Sequence, residues 1–413
     1  MRSQQLDLAI VGAGLAGLAA GRRAAELGLE FEIFESSDGV GGRVRTDRVG
    51  NFLCDRGFQL INPSYPALAR FFTPDRFHVL DRAIDLVIDG QVVRLGDPLR
   101  DLSALPGDIS SKSGRLVEKV RFLRYLRKIS VGGFTDDIKD RSFEEEMLAE
   151  GIGTFYSRVL GPFAAGVFLN HPSKVSARVA RELIHYFMVG EPGLPSGGVG
   201  EVSRRIAEGL PINLKTTVDQ IVPTGIRVGR KRIHAKAIIV ATDLVSSIGL
   251  VGELGSAQRA LPLEMSASTT WYHSLDHQEL PARLRIDGSG SGPIANTIAI
   301  SSLAPEYAEE GKTLISTTVM SSYGQEVSEA RVRRHLAEIW GQDTDSWRLV
   351  SKYSIPKSLP LMRPGVKRET SLLLPRRKGE SYRAVAGDFL NLPAQQGAVE
   401  SGIDAVDQLA SRI

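Results

Sequence analysis

Gly12, Gly14 and Gly17, followed by an acid at Glu35, are the residues whose types and spacing point most directly to chemistry. In the pattern G-x-G-x-x-G the first glycine permits a sharp turn, the second lets backbone approach a pyrophosphate, and the third brings helix close to sheet. Ala13, Leu15 and Ala16 complete the loop and the helix start, where unpaired N–H groups and a partial positive charge favour an anion. An acid about 20 positions on accepts hydrogen bonds from a ribose. A glycine turn without a ligand is the plain alternative. It loses weight because strand, turn, helix, second strand and acid all fall in register.

The elements that must hold these residues are legible. Leu6 to Val11 reads as a buried parallel strand, Leu15 to Leu27 as a helix closed by Gly28, and Phe31 to Phe34 as a second strand ending in Glu35. Beyond Ser36, the residues Gly41, Gly42 and Arg43 can bring backbone N–H groups and a guanidinium to phosphates. Near the other end, Arg383 to Ala386 reads as a strand leading into Gly387-Asp388. A helix then opens at Gln395-Gln396-Gly397-Ala398, its N-terminus again suited to an anionic partner.

Composition narrows the class. With 413 residues, 42% hydrophobic and 24% charged, the chain has the make-up of a soluble globular protein of two or three domains. A net charge of +3 gives no general push toward nucleic acid. Cys54 is the one cysteine, so no internal disulfide forms and a reducing, cytoplasmic setting is expected. The apolar start after Arg2 superficially resembles a signal peptide, but Asp7 interrupts it and cleavage would remove the glycine turn.

The glycine fingerprint, the ribose acid and the following Gly-Gly-Arg together resemble the FAD-dependent oxidoreductases that include flavin amine oxidases, protoporphyrinogen oxidases and phytoene desaturases. The resemblance implies an α/β fold, a Rossmann-like FAD-binding domain with an inserted α+β substrate domain. The FAD domain is then expected over 1–62, 191–253 and 348–413, and the substrate domain over 63–190 and 254–347. It further implies that Gly42 and Arg43 contact the FAD diphosphate, that Gly57 and Phe58 lie near the flavin with Gln59 as a polar contact, and that backbone at Val218 meets the adenine. Ala241 would sit at the end of a buried strand, Ala237 to Val240. Gly387 and Asp388 would bind the ribityl-diphosphate region, and Gln396, Gly397 and Ala398 would point a helix start at the flavin pyrimidine. Lys357, in a segment resembling the family's strand returning to the ring, is a candidate near the flavin and equally a surface lysine on a Pro-bounded loop.

Two features of the middle remain open to competing readings. Arg115 to Ile129 is a helix with Leu116, Val120, Leu123 and Leu126 at helical spacing and strongly basic positions elsewhere. One core face and one solvated face is the favoured reading, with a peripheral membrane contact as the alternative. His273 and His277, with Asp276 beside them, mimic a metal pair, but no third ligand is spaced to join them, and no metal is expected.

The chemistry implied is hydride transfer from a substrate C–H to flavin N5, with oxygen or a quinone as acceptor, by an oxidase or desaturase acting on an apolar or amine-bearing small molecule. Gln59, Lys357 and Gln396 are the weak catalytic candidates. Monoamine oxidases carry an aromatic residue shortly before the terminal Gly-Ala, where this chain has Ala394, Gln395 and Gln396, which favours the desaturase-like branch. The family's C-terminal attachment cysteine is missing, so non-covalent FAD is expected. A flavin-binding protein without turnover, a structural partner or redox sensor, is the alternative.

Overall fold

The computed structural model describes residues 5–96, 112–132, 140–252, 264–290, 292–320 and 326–413, so parts of the expected 63–190 and 254–347 segments lie outside the described residues. Two sheets carry the architecture. The first is built on parallel strands in the order Ile212–Asn213, Phe31–Phe34, Leu6–Val11, Lys231–Val240, Tyr382–Val385. Leu8, Ile10, Ile33, Ile239 and Ala384 are fully buried in it, as uninterrupted apolar strands require when both faces are covered. Helix Leu15–Glu26 packs on one face, capped at its far end by Gly28 with φ 68°.

Lys231–Val240 is one ten-residue strand, longer than the Ala237 to Val240 segment expected from sequence. Its outer half pairs antiparallel with Gly225–Val228 and its inner half pairs parallel with Leu6–Val11 and Tyr382–Val385. Polar positions on an edge half and apolar positions on a buried half disguise a continuous strand.

The second sheet runs Arg348–Pro360, Met265–Asp276, Lys312–Met320, Ile294–Ala299, Leu284–Asp287, Ile84–Ile88, Gln91–Leu95. The last two strands turn at Asp89-Gly90, with φ 50° and 70°, as the two-residue hairpin predicts. Helix Glu329–Trp340, capped by the Ser328 hydroxyl, covers one face through Val332, Leu336 and Ile339 against Trp271, Ile315 and Val319. Lys357 lies in the 13-residue strand Arg348–Pro360 and so is not on a loop. Leu194-Pro195 belongs to a short strand, Gly193–Pro195, paired with Phe77–Val79.

Helix Leu116–Gly132 forms where its periodicity predicts, but rotated, with Phe122, Tyr125, Leu126 and Ile129 inward. Leu116 is 60% exposed and Leu123 41%, while Tyr125 and Ile129 are buried together with Glu118 and Lys119. The buried acid has a reason to be there: Glu118 accepts the N–H groups of Thr154 and Phe155, and Lys119 donates to the Ser113 hydroxyl. Of the expected core-facing positions Leu116, Val120, Leu123 and Leu126, only Leu126 packs against the core, so the helix has one core face and one solvated face as expected but is turned so that the first three face outward. No helix among the described residues is long and apolar enough to cross a membrane.

Candidate functional site

The glycine turn has one closed side and one open side. Gly12 sits at φ 101°, where a Cβ would lie 2.6 Å from the Ala241 carbonyl oxygen, and a Cβ on Gly17 would lie 1.9 Å from that of Gly12. Gly14 is the opposite case, with nothing within 4 Å of its ideal Cβ position. It is the N-cap of helix Leu15–Glu26 and brings no side chain, so the first-turn N–H groups have neither helical nor side-chain acceptors. Gly41 donates to the Ala13 carbonyl at 2.7 Å, and Gly42, at φ 57°, would place a Cβ 3.3 Å from the Gly14 Cα. Glu35 is fixed against the same turn. Its Oε2 accepts from Ala13 N at 2.7 Å and its Oε1 from Ser37 N at 2.8 Å, while Ser36 is exposed. A carboxylate offers about four lone-pair sites, so acceptor capacity remains.

Arg43 and Asp388, expected as separate contacts to one ligand, face each other. The guanidinium donates to both carboxylate oxygens, at 2.6 and 2.9 Å, and also to the Ser358 carbonyl at 2.9 Å. Burial opposes the Arg43 charge, but the charge and hydrogen bonds of Asp388 outweigh it and raise its pKa further. Three of its five N–H donors are thereby engaged. The Gln59 amide donates to the Arg43 carbonyl at 2.7 Å, so this candidate braces the arginine's backbone. Gly57, at φ 98°, has Ile355 3.0 Å from its ideal Cβ position, and Phe58 packs half-buried at the core edge. Two residues beyond Ile355, Lys357 Nζ donates to Asp243 at 2.9 Å. Burial works against the Asp243 carboxylate, yet hydrogen bonds from Ser246 and Lys357 hold it below its usual range.

The terminal helix, Gln395–Ala410, begins behind an extended Ala394 with no side-chain cap and no acid in its first turn. Gly397 is required by Leu392, whose carbonyl oxygen would lie 2.1 Å from a Cβ, and Gly402 by Ala16, whose carbonyl oxygen would lie at 2.0 Å. The second contact packs this helix against the start of the glycine-turn helix. Gln396 is buried and accepts from Ala67 N at 2.9 Å, a bond that occupies its carbonyl. Ala398 is half-buried, and Gly387 N donates to the Ser401 hydroxyl at 2.8 Å. Val218 packs with Phe34 and Ile238, its chain arriving from Thr216, whose N–H bonds the Glu35 carbonyl at 2.8 Å.

Sequence reasoning passed over two residues. Gln395 donates to the Leu60 carbonyl at 3.1 Å while its Oε1 is buried without a hydrogen-bond partner, an acceptor aimed at nothing in the protein. Asp55, the last residue of strand Phe52–Asp55, is fully buried and accepts from the Thr46 hydroxyl, from Val199 N at 3.2 Å and from the Tyr307 hydroxyl at 2.7 Å. Burial lifts its pKa to about 6 against these bonds, and burial with the Asp55 charge pushes the Cys54 thiol up to about 12. One acid ending a short apolar run was the available signal. The imagined metal pair dissolves: His273 is buried 3.6 Å from Glu329, Asp276 pairs with Lys312, and no metal-ligating cluster exists among the described residues.

A family model for flavin containing amine oxidoreductases matches residues 15–410. The chain belongs to that family. The flavoprotein is 43% identical over 68 residues to AofH of Mycobacterium tuberculosis, provisionally named a flavin-containing monoamine oxidase, a match covering 16% of this chain and 15% of that one. The matched curated relatives are covered over well under two thirds of their length. In fold it resembles a provisional protoporphyrinogen oxidase from Exiguobacterium sp. 255-15, with TM-score 0.74, 15% identity and coverage of 98% and 99% of the two chains. It also resembles a putrescine oxidase solved with putrescine, with TM-score 0.71, 17% identity and coverage of 99% and 100%. These relatives do not single out the desaturase-like branch. The family's cofactor is FAD, and the residues present fit it: an open glycine cradle, two uncapped helix starts and an orphaned buried acceptor.

Proposed function

We propose that this flavoprotein oxidises an apolar or amine-bearing small molecule at a C–H, C–C or C–N bond, with non-covalently held FAD. When bound, FAD supplies a hydride acceptor at N5 that oxygen or a quinone reoxidises. The Gly12–Gly17 turn, with Gly41 and Gly42 beside it, would hold the diphosphate through backbone N–H groups, and Glu35 the ribose. Gln396, Gly397 and Ala398 would turn a helix N-terminus toward the flavin, favouring negative charge there. Arg43 and Asp388 would fix each other across the two ends of the chain, and Lys357 and Gln59 would act by positioning.

The observation that carries the reading is the pairing of the open side of Gly14 with an uncapped terminal helix locked to Ala16 through Gly402. Apolar substrate preference is supported where the two largest cores meet, because Ile84, Phe163, Tyr186 and Ala394 border both and stay partly exposed. The division would run as an FAD domain over 1–62, 191–253 and 348–413 and a substrate domain over 63–190 and 254–347, with one exception: strand Arg348–Pro360 pairs with Met265–Asp276 in the second sheet and so would fall with the substrate domain. An absorbance spectrum of the purified protein, followed by anaerobic titration with amines, polyenes and porphyrinogens, tests the proposal. Bleaching by one class names the substrate. A flavin never reduced by any of them overturns it in favour of a binding protein without turnover. Heat or acid should release intact yellow cofactor; flavin retained in the pellet contradicts non-covalent attachment.

A further inference from the structure

Helix Leu116–Gly132 has an outer face with two adjoining stripes. One runs Leu116, Val120, Leu123 and ends in Arg127; the other runs Val117, Arg121, Arg124, Lys128, each at steps of four, three and four residues along the helix. Leu116, Val117, Val120 and Leu123 are all exposed, and Leu148, 55% exposed, stands close by, because Gly151 and Glu150 just beyond it bond Arg121 and Lys128. The helix's one acid, Glu118, is turned inward and Lys128 is paired with Glu150, so the outer face carries its positive charge on Arg115, Arg121, Arg124 and Arg127.

An exposed apolar stripe bordered by cations calls for a partner that is apolar below and anionic above. A second copy docking helix to helix would set cations against cations. A nucleic acid would leave the leucine and valine side chains wet. A bilayer with anionic headgroups satisfies both parts, acyl chains receiving the apolar stripe and headgroups the guanidinium groups. We propose that helix Leu116–Gly132 is an in-plane docking surface for an anionic lipid bilayer. It lies flat, and its inner face, Tyr125 and Ile129, remains packed in the protein core.

The test is sedimentation of the full-length, FAD-loaded protein with vesicles of phosphatidylcholine alone and of phosphatidylcholine mixed with phosphatidylglycerol. Binding to the mixed vesicles, weakened by salt, is expected. Arg115→Glu, Arg124→Glu and Arg127→Glu combined should weaken it by at least about a hundredfold. Leu116→Ser, Val120→Ser and Leu123→Ser combined should weaken it while leaving thermal stability and the flavin spectrum unchanged, since these side chains are exposed. Wild-type protein that stays in the supernatant at low salt, or binding indifferent to both sets of changes, overturns the proposal. So does a dimer, seen by light scattering, that the serine substitutions dissociate, or retention on duplex DNA without vesicle binding. The readout is binding and is independent of turnover, so failure here leaves the oxidoreductase reading intact.

Discussion

The three fingerprint glycines act differently, and substitution separates them. A methyl at Gly14 meets open space at φ −72°, so Gly14→Ala should melt near the wild-type temperature yet lose FAD affinity, because the methyl occupies the side open to the diphosphate. Gly17→Ala should instead destabilise the fold by about 1–3 kcal/mol, forcing helix from strand. Thermal melts with flavin titration of the apoproteins check both, and a Gly14→Ala protein that binds FAD as tightly as wild type would sink the assignment of the turn. For the Arg43–Asp388 pair, Arg43→Ala leaves a buried carboxylate facing an arriving diphosphate and should weaken FAD binding by about ten- to a hundredfold. Adding Asp388→Asn should recover part of the loss. Equal dissociation constants for the single and double variants would show that the Asp388 charge plays no part.

At the scale of elements, helix Gln395–Ala410 is a packing unit and, on the proposed function, the second wall of the site. Gly402→Ala drives a methyl into the Ala16 carbonyl and should lower stability and flavin occupancy together. Measured by melting and by the protein-to-flavin absorbance ratio, a loss of one without the other would uncouple packing from binding. Which elements form was largely readable: the Leu6–Val11 strand, the Leu15–Glu26 helix and the hairpin at Asp89-Gly90 follow from periodicity and turn chemistry. Facing was less readable. In Leu116–Gly132 a hydropathy pattern gives no hint that Glu118 accepts from Thr154 and Phe155 and so draws an acid inward beside Tyr125 and Ile129. Pairing was hidden too. The sequence marks Arg43 and Asp388 as polar residues in loops that follow strands, but only the folded chain brings them to one point.

For the whole molecule, Asp55 ties the two sheets. Its carboxylate takes the Tyr307 hydroxyl and its carbonyl accepts from Tyr272 on the second sheet, while Val199 reaches it from the start of a helix beside the first. A folded-state pKa raised from 3.8 to about 6 means that the fold favours the protonated acid. That contribution is complete below about pH 4 and is lost as pH rises through about 6, a difference of at most about 3 kcal/mol. Relative to wild type, Asp55→Asn should therefore gain stability between pH 5 and 7.5 in denaturant titrations, with the Tyr307 hydroxyl turning to accept from the new amide. A wild-type-to-variant difference that stays constant over that range would contradict the shift. The long reach of the Arg43–Asp388 pair, 345 residues apart in sequence, also fixes an order of events during synthesis. Arg43, close after the glycine turn, leaves the ribosome 345 residues before Asp388, so the nascent chain carries half of the proposed cradle throughout that interval. On the proposed site, cofactor capture would wait for the second half of that cradle, and a chain truncated before helix Gln395–Ala410 should display an intact nucleotide motif and hold no flavin.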